Sequence, residues 1–322
     1  MKALDIISPG PLTTVQDLGR PGYGAYGVPP SGAVDSLSLR MGNLLVGNPE
    51  NTAGLEITLM GLQVRVLCDI LVAVTGGDLQ TRLNDRPLAM WTAVRLRTGD
   101  VISFNLAKTG CRAYLAVGGG IEVPDVMNSA STNLGSGFGG LDGRALGKGD
   151  ILSVKDPQSH LAYEGNALDE GMIPSYPNNW CVRVIWGPQD QDFTQEAKDR
   201  FLNASFTVTS ESDRAGIRLK GPELPAKDGL ASSIISEGVI PGAIQVPGSG
   251  LPIILLGETV TGGYRKIATV ISADIPFLGQ MKPGDRVSFE PVELPVAHTL
   301  LKKRGAQITD FKNKVVRRIQ RC

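Results

Sequence analysis

Histidine is nearly missing from this 322-residue chain, with His160 and His298 the only two. A Ser-His-Asp triad or an imidazole-based metal centre needs histidine beside its other members. One histidine falls in a linker-like segment and the other in the tail, so neither chemistry is expected. Cysteine is also scarce. Cys68, Cys111, Cys181 and Cys322 contain no C-x-x-C pair, which argues against a zinc knuckle or redox dithiol and for buried small hydrophobes in a reducing compartment. No apolar run approaches the roughly 20 residues of a membrane span. The opening MKALDIISPGPLTTVQD has no apolar stretch of signal-peptide length. Basic and acidic side chains number 32 each, whereas a general nucleic-acid binder needs a cationic surplus. The expectation is a cytoplasmic protein with no nucleic-acid and no membrane partner.

Glycine and proline are plentiful, at 40 and 21 residues. They punctuate apolar runs, a pattern of many turns rather than of disorder. Short Val/Ile-rich runs recur at 62–67, 70–75, 93–97, 112–117, 181–186, 243–246, 253–256 and 267–271. Their length and spacing predict a mainly β fold of barrel-like or sandwich-like units. One phrase, Gly-Asp followed by an alternating run, appears at Gly99-Asp100, Gly149-Asp150 and Gly284-Asp285, and reads as a turn that opens a strand.

Helices are few. Asp35 caps one that runs to about Val46, with Leu37, Met41, Leu44 and Leu45 on one face and Gly47 as its stop. A second begins near Asp192, with Phe193, Ala197 and Phe201 at four-residue steps. A third covers Gln307 to Arg321, with Ile308, Phe311, Val315, Val316 and Ile319 as an apolar stripe and Lys312, Lys314, Arg317, Arg318 and Arg321 as basic residues. Packing on the body is its simplest role and partner docking the next. The composition shift between Val154 and Trp180 gives the domain expectation: a β unit over 1–156, a linker over 157–179, a second β unit over 180–294, and a basic helical tail over 295–322.

Two G-x-G-x-x-G stretches, at Gly22/Gly24/Gly27 and Gly135/Gly137/Gly140, lack the flanking strand and helix of a dinucleotide fold. Neither a Walker P-loop nor a G-x-S-x-G elbow is present. Chemistry must then come from carboxylates, Arg and Lys, amides and backbone groups. Three polar clusters offer them. Residues 16–35 display Gln16, Asp17, Arg20, Ser31 and Asp35 among glycines and prolines, either a rigid binding loop or a loop in which Asp17 pairs with Arg20 and Asp35 only caps a helix. Ser212–Arg218 places Arg214 and Arg218 beside Asp213, a fork for an oxyanion or a surface ion-pair network. The third joins Glu237 and Gln245 to Thr261, Gly262, Gly263, Tyr264 and Lys266. It is a close-approach ligand site, a Gly-Gly hairpin, or both.

These clusters carry a resemblance. GPLTTVQDLGRPGYGAYGVPPSGAVD, RAYLAVGGGIEVPDVMNSASTNL, SDRAGIRLKGPEL, SEGVIPGAIQVPGSGLPIILL and TVTGGYRKIATVISADIPFLGQMKPGDRVSF resemble the C-subunit family of bacterial ATP-dependent 5-oxoprolinase, also called the Kip antagonist or allophanate-hydrolase-subunit-2 family. The likeness covers about residues 3–292. It departs from the usual pattern at Gly77, Asn128, Ala215 and Glu258. The resemblance implies two cyclophilin-like β-barrel subdomains with a few helices and a C-terminal helical tail. It implies a B-subunit partner of the Kip inhibitor family, an A-subunit partner of the LamB/YcsF type, 5-oxo-L-proline as substrate, and ATP with magnesium as cofactor. With these roles in view, Arg214, Arg218 and Lys266 would bind anionic oxygens. Asp17, Asp213 and Glu237 would hold those cations or the magnesium ion, although no residue is assigned as a dedicated metal ligand. Gln16, Ser31, Gln245, Thr261 and Tyr264 would supply hydrogen bonds to substrate or nucleotide. Two alternatives stand beside this reading: a biotin-dependent carboxyltransferase component of the urea type, and a Kip-type regulator that counteracts a kinase inhibitor.

Overall fold

A computed structural model describes residues 1–319, and side chains through Val315. Val316, Arg317, Arg318, Ile319 and Arg321 of the expected tail stripe, and Cys322, lie outside the described side chains. The chain divides into two compact units. Unit 1 comprises Met1–Arg20, Ser31–Tyr176 and the described part of Ala306–Cys322; unit 2 comprises Pro21–Pro30 and Pro177–Gly305.

Unit 1 is built from two antiparallel sheets that share one core. The seven-stranded sheet runs in the order Ile121–Glu122, Ile151–Val154, Lys2–Pro9, Leu62–Val66, Val101–Ser103, Arg82–Leu83, Arg86–Pro87. The five-stranded sheet runs Leu12–Gln16, Gly54–Thr58, Thr109–Val117, Ile70–Asp78, Ala93–Leu96. The apolar run in Ile70–Asp78 is explained by its two covered faces. Ile70, Val72 and Val74 enter the inter-sheet core, while Leu71 and Ala73 join a second cluster on the other side. Successive side chains in a strand alternate faces, so a strand buried on both sides reads as continuous rather than alternating hydrophobicity.

The second cluster is completed by helix α1 (Ser36–Leu45), through Leu37, Met41, Leu44 and Leu45. Burying each such side chain contributes about 1.5–3 kcal/mol. Asp35 caps α1 as the sequence predicts, accepting from the Ser38 amide at 3.0 Å, and Gly47 follows in the left-handed region.

Unit 2 is a closed barrel. Its strands, in order around the barrel, are Asn179–Trp186, Arg265–Val270, Ala243–Val246, Ile253–Leu255, Gly216–Lys220, Phe206–Val208 and Arg286–Pro291. The last returns parallel to the first, Asn179 opposite Arg286 through Val184 opposite Pro291. Helix α2 (Gln195–Asn203) lays Phe201 on the barrel, its ring stacked on Phe289 at 4.3 Å. This helix starts later than the expected Asp192. Thr194 is its cap, and the Asp192 carboxylate is taken by Arg265 at 2.9 Å. A short helix, α3 (Ile275–Leu278), precedes the final barrel strand.

The mainly β expectation holds, and the eight expected runs are all strands to within a few residues. Two segments differ. Of residues 157–179, expected as linker, those up to Tyr176 belong to unit 1 and Pro177 onward to unit 2. His160 Nδ1 lies 2.8 Å from the Val46 carbonyl, the Asn166 amide donates to Leu45, and Leu161 and Tyr163 lie against the α1 cluster. The tail helix α4 spans Leu294–Ile319, beginning well before Gln307. Gly305, a poor helix former, hides this continuity in the sequence. Ile308, Phe311 and Val315 do pack on unit 1, and Lys312 and Lys314 pair with Glu50 and Asp169 at 3.2 and 2.6 Å.

The three Gly-Asp phrases form one turn used three times. Gly99, Gly149 and Gly284 sit at φ 94°, 86° and 92°, the third position of a type II turn, where only glycine is comfortable. In each, the aspartate carboxylate accepts from the amide three residues back: Arg97 at 2.7 Å, Gly147 at 2.7 Å and Lys282 at 3.1 Å. A strand follows each turn directly.

Candidate functional site

Gln16, Asp17, Arg20, Ser31 and Asp35 are all brought into unit 1. Asp17 and Arg20 both turn to the segment 126–131. The Asp17 carboxylate accepts from the Gly19 amide, the Ala130 amide and the Ser129 hydroxyl, each at 2.7 Å, and from the Ser131 hydroxyl. Arg20, the largest fully buried side chain, donates to the carbonyls of Val126 and Ser131 and lies 4.8 Å from the centre of the Phe138 ring. The second glycine pattern, no dinucleotide motif, has a packing role here. A Cβ at Gly140 would fall 1.9 Å from the Thr132 hydroxyl, and one at the adjoining Gly139 would fall 2.1 Å from the Ser131 carbonyl and 2.8 Å from the Arg20 guanidinium. Ser31, at φ 56°, accepts from the Asn133 amide at 2.9 Å. Gln16 donates to Thr14 and Thr132, while its Oε1 is buried without a partner.

A neighbouring buried network in unit 1 was not anticipated. The Tyr114 hydroxyl accepts from the Asp35 amide at 2.8 Å and donates to Glu56 at 2.7 Å; Glu56 also accepts from Val34 and faces Arg112 at 3.6 Å. Burial, then the charges of Glu56 and Asp35, push the Tyr114 hydroxyl well above its usual pKa, so it stays a neutral donor. The available signal was Glu56 itself, a lone carboxylate inside the apolar strand Gly54–Thr58.

The remaining candidates belong to unit 2. Arg214 is buried and forms an ion pair with Glu258 at 3.0 Å. Asp213 uses one carboxylate oxygen on the amides of Ala215 and Gly216, at 2.8 and 3.0 Å, and so shapes the turn into the strand Gly216–Lys220. The buried Lys266 ammonium pairs with the exposed carboxylate of Glu237, which the Gln189 amide also meets at 2.7 Å. The Lys266 ammonium, then Gln189, holds the Glu237 carboxyl below its ordinary value of 4.5. Glu237–Gly238 and Thr261–Gly262 form a two-stranded ribbon; Gly262 is a strand residue paired with Glu237, not the turn of the expected Gly-Gly hairpin. A Cβ on Gly262 would lie 2.2 Å from Gln245 Nε2, so the ribbon's backbone closes on that amide.

A cavity of ≈ 660 Å³ opens on this barrel, and Asp213, Arg218, Gln245 and Tyr264 line it, joined by Thr259. Its floor is apolar, with Ile253 and Leu255 among the lining residues. Arg218 is exposed there, and among the described residues its guanidinium makes no ion pair. Gln245 is 4% exposed, and its Nε2 has no hydrogen-bond partner. An exposed guanidinium, a half-exposed phenol and an unsatisfied buried amide over an apolar floor suit a small, anionic, amide-like ligand. Among the described residues no group of three or more His, Cys, Asp or Glu is arranged to hold a metal ion, and no helix is long and apolar enough to cross a membrane.

A barrel and a two-sheet unit with these clusters define a class. The chain belongs to the carboxyltransferase domain family, subdomain A and B, whose model matches residues 26–291. Within that class it is similar to the C subunit of Escherichia coli 5-oxoprolinase, 39% identical over 91% of this chain and 93% of that one. The C subunit of the Haemophilus influenzae 5-oxoprolinase is 36% identical, over 93% and 94%. The crystal structure of the Kluyveromyces lactis urea amidolyase matches with a TM-score of 0.91 at 33% identity, covering 97% of this chain and 20% of that much longer one.

Proposed function

We propose that this chain is the C subunit of a cytoplasmic, ATP-dependent 5-oxoprolinase, which opens 5-oxo-L-proline to L-glutamate only when joined by a B subunit of the Kip inhibitor family and an A subunit of the LamB/YcsF type. The observation that carries this reading is the similarity to the Escherichia coli protein, which runs through nearly the whole of both chains. The unit 2 cavity supports it chemically. 5-Oxoproline is a small carboxylate on a lactam, with ring methylenes that match an apolar floor.

A lactam is a poor electrophile, and ATP would supply the phosphoryl group that turns its oxygen into a leaving group. The cavity does not fit a triphosphate. Its two lining cations, Arg218 and Lys220, are only equal in number to its two lining carboxylates, Asp213 and Glu211, so it holds no cationic surplus, and the other candidate cations, Arg214 and Lys266, are each engaged by a carboxylate. Clusters that hold phosphates present a surplus of cations or of backbone amides at a helix N-terminus. In this reading the cavity takes the lactam, no step is routed through nucleotide or magnesium bound there, and Asp213, Arg218 and Gln245 are the residues nearest the substrate.

The test is glutamate release from 5-oxo-L-proline and ATP by the chain alone, with the B subunit, and with both partners. Turnover confined to the full mixture is the expected result. A stable complex with the B subunit but no turnover in any mixture overturns it. A second reading, carboxyl transfer from biotin to a urea-type acceptor, is favoured by the fold match to the urea amidolyase. This chain spans 20% of that protein, and in this reading biotin carboxylase and biotin carrier proteins are added to the assay. Carboxyl transfer on adding them, without glutamate release, would select this reading.

A further inference from the structure

We propose that Gln245 and Arg218 form a two-point recognition device for a lactam bearing a carboxylate, so that this chain by itself binds and selects the substrate. The identity of the ligand rests on the oxoprolinase reading; the device rests on the cavity. A buried amide donor without a partner is costly in a folded protein. Gln245 Nε2 is such a donor, on a residue that lines the cavity, and the ribbon residue Gly262 approaches it so closely that a Cβ there would lie 2.2 Å away. In the strand Ala243–Val246 the backbone of Gln245 is fixed between Ile253 and Lys266, which leaves the side chain little freedom to find another partner.

A glutamine side chain presents a carbonyl and an N–H side by side on one edge. In a small-ring lactam the amide is held cis, so its own N–H and C=O also lie on one edge. The two edges pair through two hydrogen bonds, and the order of donor and acceptor along the glutamine edge fixes which way round the lactam lies and so where its carboxylate falls. An open-chain trans peptide points its N–H and C=O in opposite directions and cannot make both bonds. The carboxylate then falls to Arg218, the lining guanidinium without an ion pair among the described residues, whose forked donors match it. The methylenes of the ring lie on the Ile253 and Leu255 floor.

The experiment measures binding to the full chain alone, by calorimetry and ligand-observed NMR. The probes are 5-oxo-L-proline, L-proline (no lactam carbonyl), 2-pyrrolidinone (no carboxylate), and biotin, whose ureido ring offers the same cis edge. 5-Oxo-L-proline should bind about tenfold or more tightly than each partial analogue, since each loses hydrogen bonds to a buried or charged group. Gln245→Leu should erase the preference over L-proline alone, and Arg218→Ala the preference over 2-pyrrolidinone alone. Gln245→Glu, which keeps the length but removes the donor, repeats the first result should the leucine variant not fold. No binding by the chain alone, preference for biotin, or an equal loss for all ligands in both variants overturns the inference. Unchanged turnover of the three-protein mixture with both variants also overturns it, while leaving the oxoprolinase reading intact. The expected selectivity in a chain that never supports turnover sinks that reading and keeps the device.

Discussion

Asp17 and Arg218 each carry one charge in a loop or strand rich in polar neighbours, and the fold treats them oppositely. Asp17 is buried and receives donors from Gly19, Ser129, Ala130 and Ser131. Arg218 stands in a cavity wall with its guanidinium outside any ion pair among the described residues. The first arrangement is what a scaffold needs: a desolvated charge survives only when its hydrogen-bonding capacity is filled. The second is what a ligand needs. Density of polar residues, which drew attention to both in the sequence, does not separate them; the number of unspent bonds does.

The contrast can be broken by mutation, and the largest effect should come from the scaffold. Asp17→Ala strands several donors at once and should lower stability by about 4 kcal/mol, a fall in Tm of many degrees by calorimetry. A Tm near that of the parent would mean that the 126–131 segment is held by something else. Glu258→Ala comes next, because it leaves the buried Arg214 without its 3.0 Å counter-ion; about 3 kcal/mol should be lost, and restoring the parent Tm with a second change, Arg214→Met, would show that the penalty is the uncompensated charge. Arg218→Ala should change stability by less than about 0.5 kcal/mol. If it unfolds the barrel, Arg218 belongs with Asp17.

The smallest effect is a pH dependence. The Glu237 carboxyl is held below 4.5, first by the Lys266 ammonium and then by Gln189. A carboxylate with a depressed folded-state pKa contributes its stability above its unfolded value and loses it as pH falls through the folded one. The Tm of the parent should therefore fall more steeply than that of Glu237→Gln as pH drops below 4.5. Parallel curves would show that the pair is solvated and idle, as exposed pairs often are.

Much of the architecture was legible because its signals are local. Strand runs, the Asp35 cap and the Gly-Asp turns each depend on residues within a few positions. What escaped depends on partners far along the chain. Within the expected linker of 157–179, His160 and Asn166 find Val46 and Leu45, more than 100 residues earlier, and no local pattern announces that. The pairing of Asp17 with the serines at 129 and 131 spans a similar distance. In unit 2, Asp213 and Arg218 of one cluster and Gln245 and Tyr264 of another line one cavity. That Arg214 and Lys266 would be engaged by Glu258 and Glu237 could not be told from spacing, because the carboxylates stand 44 and 29 residues away.

The thrice-used turn bears on how the chain reaches its shape. The strands that follow it, Val101–Ser103, Ile151–Val154 and Arg286–Pro291, pair with segments as remote as Leu4 and Asn179. Closing so long a loop is entropically expensive, whereas a four-residue closure is fast and nearly independent of the rest of the chain. Each aspartate side chain ties its turn from within, so the direction of the strand is set before its distant neighbour arrives. The turn thus acts on the search for the fold as much as on the finished molecule, and removing its carboxylate should slow refolding more than it hastens unfolding.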